Sequence, residues 1–107
     1  MSRLLIAGTI CAFFTIVTGS ATASQSGIVI YKRVCALCHA AGVAGAPMLG
    51  SKNEWTPRIA QGKETLYKHA IEGFTGAKGM MPARGGGTSL SDEEVKAAVD
   101  YMAGIIK

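Results

Sequence analysis

Apolar and polar positions divide this chain into stretches before any chemistry is considered. From Leu4 to Val17 the sequence is almost continuously apolar, with Arg3 before it and Ala21-Thr22-Ala23 after it. In "SGIVIYKRVCALCH" apolar Ile28, Tyr31, Val34 and Leu37 recur every three residues, which predicts a helix burying that face. "GKETLYKHAIEGF" predicts a second helix, with Leu66, Ala70 and Ile71 on one side and charges opposite; His69 falls on the polar, solvated side. A brief turn is expected in "NEWTPRIA", where Pro57 suits a helix start. The third helix is written most clearly, in "SLSDEEVKAAVDYMAGIIK". Ser91 and Glu94 have the S-x-x-E spacing of a capping box, and Asp92 and Glu93 occupy the first turn, where the helix dipole favours them. Val95, Ala98, Val99, Met102 and Ile105 trace the apolar stripe, and Lys107 ends it.

No strand-like alternation of useful length is visible, so the expected class is all-α: three main helices plus short turns. The segments between them, "AAGVAGAPMLGSKN" and "GFTGAKGMMPARGGGTS", are glycine-rich. Loops that long in a small domain need something internal to pack against.

The leading apolar run reads as a secretory signal over residues 1–23, leaving one domain over residues 24–107. As a helix its apolar part would span about 21 Å, short of the roughly 30 Å hydrocarbon core; an uncleaved anchor is the competing reading. Cys11 follows Ile10, not the small residue of a lipoprotein site, and is read as filler. A domain this small usually needs a disulfide, metal or cofactor to complete its core. The part after the signal contains only Cys35 and Cys38, too few and too close together for a disulfide scaffold.

The whole chain carries a formal charge of +4, unevenly spread. Lys52, Arg58, Lys63, Lys68, Lys78 and Arg84 outnumber the acids in the middle, whereas Asp92, Glu93, Glu94 and Asp100 dominate the end. The middle suits contact with an acidic protein surface. It lacks the basic clusters and interleaved aromatics of a nucleic-acid binder, so no nucleic-acid partner is expected.

Cys35-Ala36-Leu37-Cys38-His39 then becomes the centre of the chemistry. A thioredoxin-like pair would begin a helix beside strands, and here it ends one. A zinc site would need two more ligands, and only His69 remains as a further imidazole. The C-x-x-C-H order fits covalent haem attachment. Cysteines three apart share a helix face and reach two vinyl groups, and His39 is carried beneath the iron as an axial ligand. One haem c per chain is the expected cofactor.

For the opposite axial position the candidates are Met48, Met80, Met81, Met102 and His69. Met102 lies on the last helix's apolar stripe, and Met48 follows His39 too soon to reach the other face. Met81 precedes Pro82, which favours an extended backbone suited to a strand laid over the ring; Met81 is the choice, with Met80 as the alternative. A thioether opposite a histidine raises the potential.

These residues make the chain resemble the class I c-type cytochromes, and among them the cytochrome c5 type. The likeness is carried by "YKRVCALCHAAGVAGAPMLG", "WTPRIAQGKETLYKHAIEGF", "MPARGG" and "LSDEEVKAAVDYM". It implies an exported periplasmic monohaem electron carrier, not an enzyme, with His39 and Met81 as axial ligands. It implies a crossing of the first and last helices at Gly27 and Tyr31 against Val99–Met102. It also implies that the Pro47 carbonyl fixes the His39 ring and that Trp55 and Arg58 flank the haem propionates as indole and guanidinium donors; plain core packing is the other reading of Trp55. The cysteine pair many c5-type proteins have after the methionine loop is missing, and "TGAKGM" looks longer than usual. Expected partners are acidic redox proteins, a quinol-oxidising complex on one side and a terminal oxidase or reductase on the other, met by a monomer that does not insert in the membrane once the signal is removed. The alternatives are a dedicated haem subunit of a periplasmic dehydrogenase, and a haem sensor or peroxidase-like protein with a labile sixth ligand.

Overall fold

The structure is a computed structural model, and it describes residues 8, 11–15 and 26–104. Most of the expected signal segment lies outside the described residues, as do Ile105 and Lys107. Among the described residues no helix is long and apolar enough to cross a membrane.

The first helix, α1, joins three segments end to end: α-helical Gly27–Ile30, a π-helical turn at Tyr31–Cys35, and α-helical Ala36–His39. In the middle segment the Ala36 N–H bonds the Tyr31 carbonyl, five residues back. The helix stands where the sequence predicts it, but its buried face differs. Ile30 and Tyr31 are buried, while Ile28 is exposed and Leu37 is 77 % exposed. A strict three-residue step slips by about 60° around a helix each time, so Ile28 and Leu37 end on opposite sides. The widened π turn rotates the following residues further.

Helix α2, Lys52–Ile59, is a full two turns where only a brief turn is expected, and Pro57 sits in its last turn instead of its start. Proline removes a bond to the Asn53 carbonyl, and both residues are exposed, so water can serve that carbonyl. Helix α3, Lys63–Glu72, buries Leu66 and Ala70 as expected. A two-stranded antiparallel hairpin follows, β1 Phe74–Gly76 and β2 Gly79–Met81, pairing Phe74 with Met81, Thr75 with Met80 and Gly76 with Gly79. This short strand pair is an addition to a mostly helical fold, and the expected all-α class stands. Gly79 has φ 149°, and a Cβ there would lie 2.0 Å from the Ala44 carbonyl oxygen, so the hairpin abuts the loop after α1 as only glycine allows.

Helix α4, Asp92–Gly104, begins at the expected capping box: Glu94 N–H donates to Ser91 Oγ and Ser91 N–H to Glu94 Oε1, each at 3.2 Å. It packs across α1. A Cβ on Gly27 would fall 2.0 Å from the Ala97 carbonyl oxygen, so the backbones touch there. The glycine contact is with Ala97 and Ala98, upstream of the expected Val99–Met102, while Tyr31 meets Tyr101 at 5.4 Å between ring centroids. Two apolar clusters result. Leu66, Ala70, Val95 and Val99 form one, Tyr31, Trp55 and Met102 the other, and Ile59 touches both. Asp100 braces α4 to α3, accepting from the Tyr67 hydroxyl at 2.5 Å and lying 3.3 Å from Lys63 Nζ.

Candidate functional site

The helices do not close on one another completely. Between them is a cavity of about 400 Å³, mostly apolar, within the size range of cofactor sites. Cys35, Cys38 and His39 reach it from the end of α1, Trp55 and Arg58 from α2, Leu66, His69 and Ala70 from α3, Met80 and Met81 from β2, and Val99 and Met102 from α4. The motif, the methionine pair and both residues expected beside the propionates thus line one space.

His39 is only 6 % exposed. Its Nδ1 donates to the Pro47 carbonyl oxygen at 2.8 Å, which sets the tautomer and leaves Nε2 as the lone-pair nitrogen. Two further bonds hold the loop carrying Pro47. The Met48 carbonyl accepts the Trp55 indole N–H at 2.9 Å, and the Met48 N–H donates to Glu54 Oε2 at 3.0 Å. That N–H, with the Ser51 hydroxyl next, holds the Glu54 carboxyl below its ordinary range. The indole packs near the imidazole, 6.0 Å between centroids. Trp55 therefore walls and steadies His39, and its one N–H is bonded to the Met48 carbonyl. Arg58 stays on the cavity wall, one Nη bonded to the Glu54 carbonyl.

Cys35 and Cys38 are both free thiols facing the cavity. Burial pushes the Cys35 thiol pKa up, partly offset by a backbone hydrogen bond. Among the described residues no three His, Cys, Asp or Glu side chains are grouped to hold a bare metal ion. Two unpaired thiols three residues apart, one oriented imidazole and a large apolar void fit a porphyrin carried on thioethers.

Neighbouring residues on a strand point to opposite faces, and the two methionines show it. Met80 is 63 % exposed, whereas Met81 is half-buried and packs on the Leu66, Ala70, Val95 and Val99 cluster. Met48 is exposed, and Met102 is buried in the second cluster.

His69 differs from its expectation. It is half-buried, lines the cavity, and stacks on Phe74 with centroids 4.2 Å apart. Residues 66, 69 and 70 share a face by the i, i+3, i+4 rule, so the placement was available from spacing. Phe74 was missed altogether; an aromatic directly after the glycine that ends α3 was its only signal.

A family model described as cytochrome c oxidase, cbb3-type, subunit III matches residues 22–102. Cytochrome c-555 of Chlorobaculum tepidum is 46 % identical over 97 % of both chains. Cytochrome c5 of Ectopseudomonas mendocina is 33 % identical, covering 71 % of this chain and 85 % of its own length. A chain in a crystal structure of an electron transfer complex of nitrite reductase with cytochrome c is 41 % identical, with a TM-score of 0.67, covering 78 % of this chain and 100 % of that one.

Proposed function

The chain belongs to the cytochrome c family, has the class I fold and carries one covalently bound haem c, and from that premise we propose that it is a periplasmic carrier of single electrons between respiratory redox proteins. Cys35 and Cys38 would hold the haem through thioethers, and His39, through Nε2, and Met81 would be the two side chains that bind its iron. Bound there, haem supplies one-electron chemistry at an iron whose potential a thioether raises.

The chain's own residues do the rest. Pro47 fixes the His39 ring through Nδ1, and Trp55 and Glu54 fix Pro47's loop. Leu66, Ala70, Val99 and Met102 keep water from the cavity. Arg58 supplies positive charge on its wall for a propionate. Val43, Phe74 and Met80 line the cavity and are also exposed, and Lys78 stands beside them on the hairpin turn. An apolar edge with a basic neighbour suits brief contact with an acidic redox protein. The solved complex with nitrite reductase supports a reductase among such partners.

The observation that carries this reading is that the half-buried Met81 and an oriented His39 line one cavity. Its test is the oxidised spectrum. A weak long-wavelength methionine–iron band is expected, with no carbon monoxide binding after reduction. Met81→Ala should abolish the band and Met80→Ala should keep it; the reverse pattern would overturn the ligand assignment.

A second reading, a dedicated haem subunit of one larger enzyme, is favoured by the oxidase-subunit description of the matching family model. Gel filtration of native extract separates the two: a stable large complex supports the subunit, a free small protein the carrier.

A further inference from the structure

Resting on Met81 as the distal ligand, we propose that Arg84 is a positioning residue that holds the Met81 loop against the cavity and so decides how easily the methionine is displaced. Arg84 stands three residues beyond Met81, in the short turn Ala83–Gly86. Its backbone is left-handed, φ 56° and ψ 23°, although it has a side chain. L-residues avoid that region, and one found there is held by its surroundings.

Here the guanidinium does the holding. Nη1 donates to the Leu90 carbonyl at 3.0 Å, and Nη2 donates to Asp92 Oδ1 at 2.6 Å. The Arg84 side chain is 26 % exposed and its bond to Leu90 is half-buried, whereas Asp92 is 58 % exposed, so salt screens the Asp92 arm more than the Leu90 arm. Leu90 and Asp92 flank Ser91, the cap of α4, and α4 is anchored in the core by Val95 and Val99. The arginine thus ties the methionine-bearing loop to the capped, core-anchored start of α4.

Packing also holds the loop: the Ala83–Gly86 turn lies on α3 and meets α1, and Met81 packs on the Leu66, Ala70, Val95 and Val99 cluster, but none of these contacts is a directional bond to the start of α4. The hairpin contributes three residue pairs. Gly85 N–H to the Pro82 carbonyl and Gly87 N–H to the Arg84 carbonyl are local turns. Gly85 and Gly86 both have positive φ, and a chain so rich in glycine regains many conformations once released. A thioether on a released loop has a lower effective concentration at its site and competes less well with an outside ligand.

Imidazole titration of the oxidised, haem-loaded protein reads this directly, through loss of the methionine–iron band. Arg84→Ala should bind imidazole at least tenfold more tightly than the parent. Arg84→Lys, which keeps the charge but cannot span both acceptors, and Asp92→Asn, which leaves the Leu90 arm, should fall between. Lys63→Ala removes the bridge to Asp100 elsewhere on α4; it should lower Tm and leave imidazole affinity alone. If Arg84→Ala does not accumulate, Asp92→Asn carries the test by itself. Parent-like affinity in Arg84→Ala and Asp92→Asn, or an affinity change in Lys63→Ala that follows Tm, overturns the tether. In that case band loss in Met81→Ala leaves the ligand assignment standing, whereas a band that survives Met81→Ala removes both.

Discussion

His39 and Pro47 are joined by one hydrogen bond, Nδ1 to carbonyl oxygen at 2.8 Å, and Met48, the residue after Pro47, is pinned from outside by Glu54 and Trp55. The orientation of the His39 imidazole therefore depends on a chain of contacts ending at α2.

Glu54 is the link in that chain that titrates. Its folded carboxyl pKa lies below the unfolded value, chiefly because it accepts the Met48 N–H. Its contribution to stability is therefore complete at neutral pH and fades as pH falls through the folded value. Urea unfolding of Glu54→Ala should show a deficit against the parent that is widest near neutrality and closes in acid. A deficit that stays constant with pH would mean the carboxylate is not what holds the loop.

Gly27 gives a prediction in which two effects oppose each other. Gly27→Ala improves helix propensity by about 0.5–1 kcal/mol, but places a methyl 2.0 Å from the Ala97 carbonyl oxygen. Overpacking of this kind costs roughly 1–3 kcal/mol and should win. Each 1 kcal/mol lost lowers Tm by about 4–8 °C in a domain of this size. A variant as stable as the parent would show that the helices are free to separate at this crossing.

Ser91 and Glu94 cap α4 reciprocally, so their losses should not add. Ser91→Ala is expected to cost about 1 kcal/mol, and a double-mutant cycle with Glu94→Ala should return a coupling of at least about 0.5 kcal/mol. Strict additivity in chemical denaturation would mean the two bonds form independently.

The features legible in the sequence are those fixed by neighbours. The capping box and the C-x-x-C-H turn are local, and both stand where the sequence predicts them. The stripe through Ile28 and Leu37 was misread because a three-residue step imitates a helix face while drifting around it. Three residue pairs, one of them Gly76 with Gly79, were too short to read as a hairpin, yet that hairpin half-buries Met81 and leaves Met80 63 % exposed at the cavity edge. The capture of the Trp55 N–H by Met48 depends on how the loop folds back on α2, which no local spacing encodes.

Exposed lysines predict how the protein meets its partners. Electron transfer to an acidic redox protein should slow as ionic strength rises from about 0.01 M to 0.15 M, where the screening length shrinks from roughly 30 Å to 8 Å. Stopped-flow rates for Lys78→Glu should fall several-fold at low salt and converge on the parent's at high salt. Rates that ignore both salt and the substitution would remove charge from the account of docking.

The covalent cofactor is tested most directly by the intact mass of the exported protein under denaturing conditions. The account predicts a chain cut after Ala23 carrying one haem that denaturation does not release. A bare polypeptide of that length, or a haem that separates on unfolding, would contradict it.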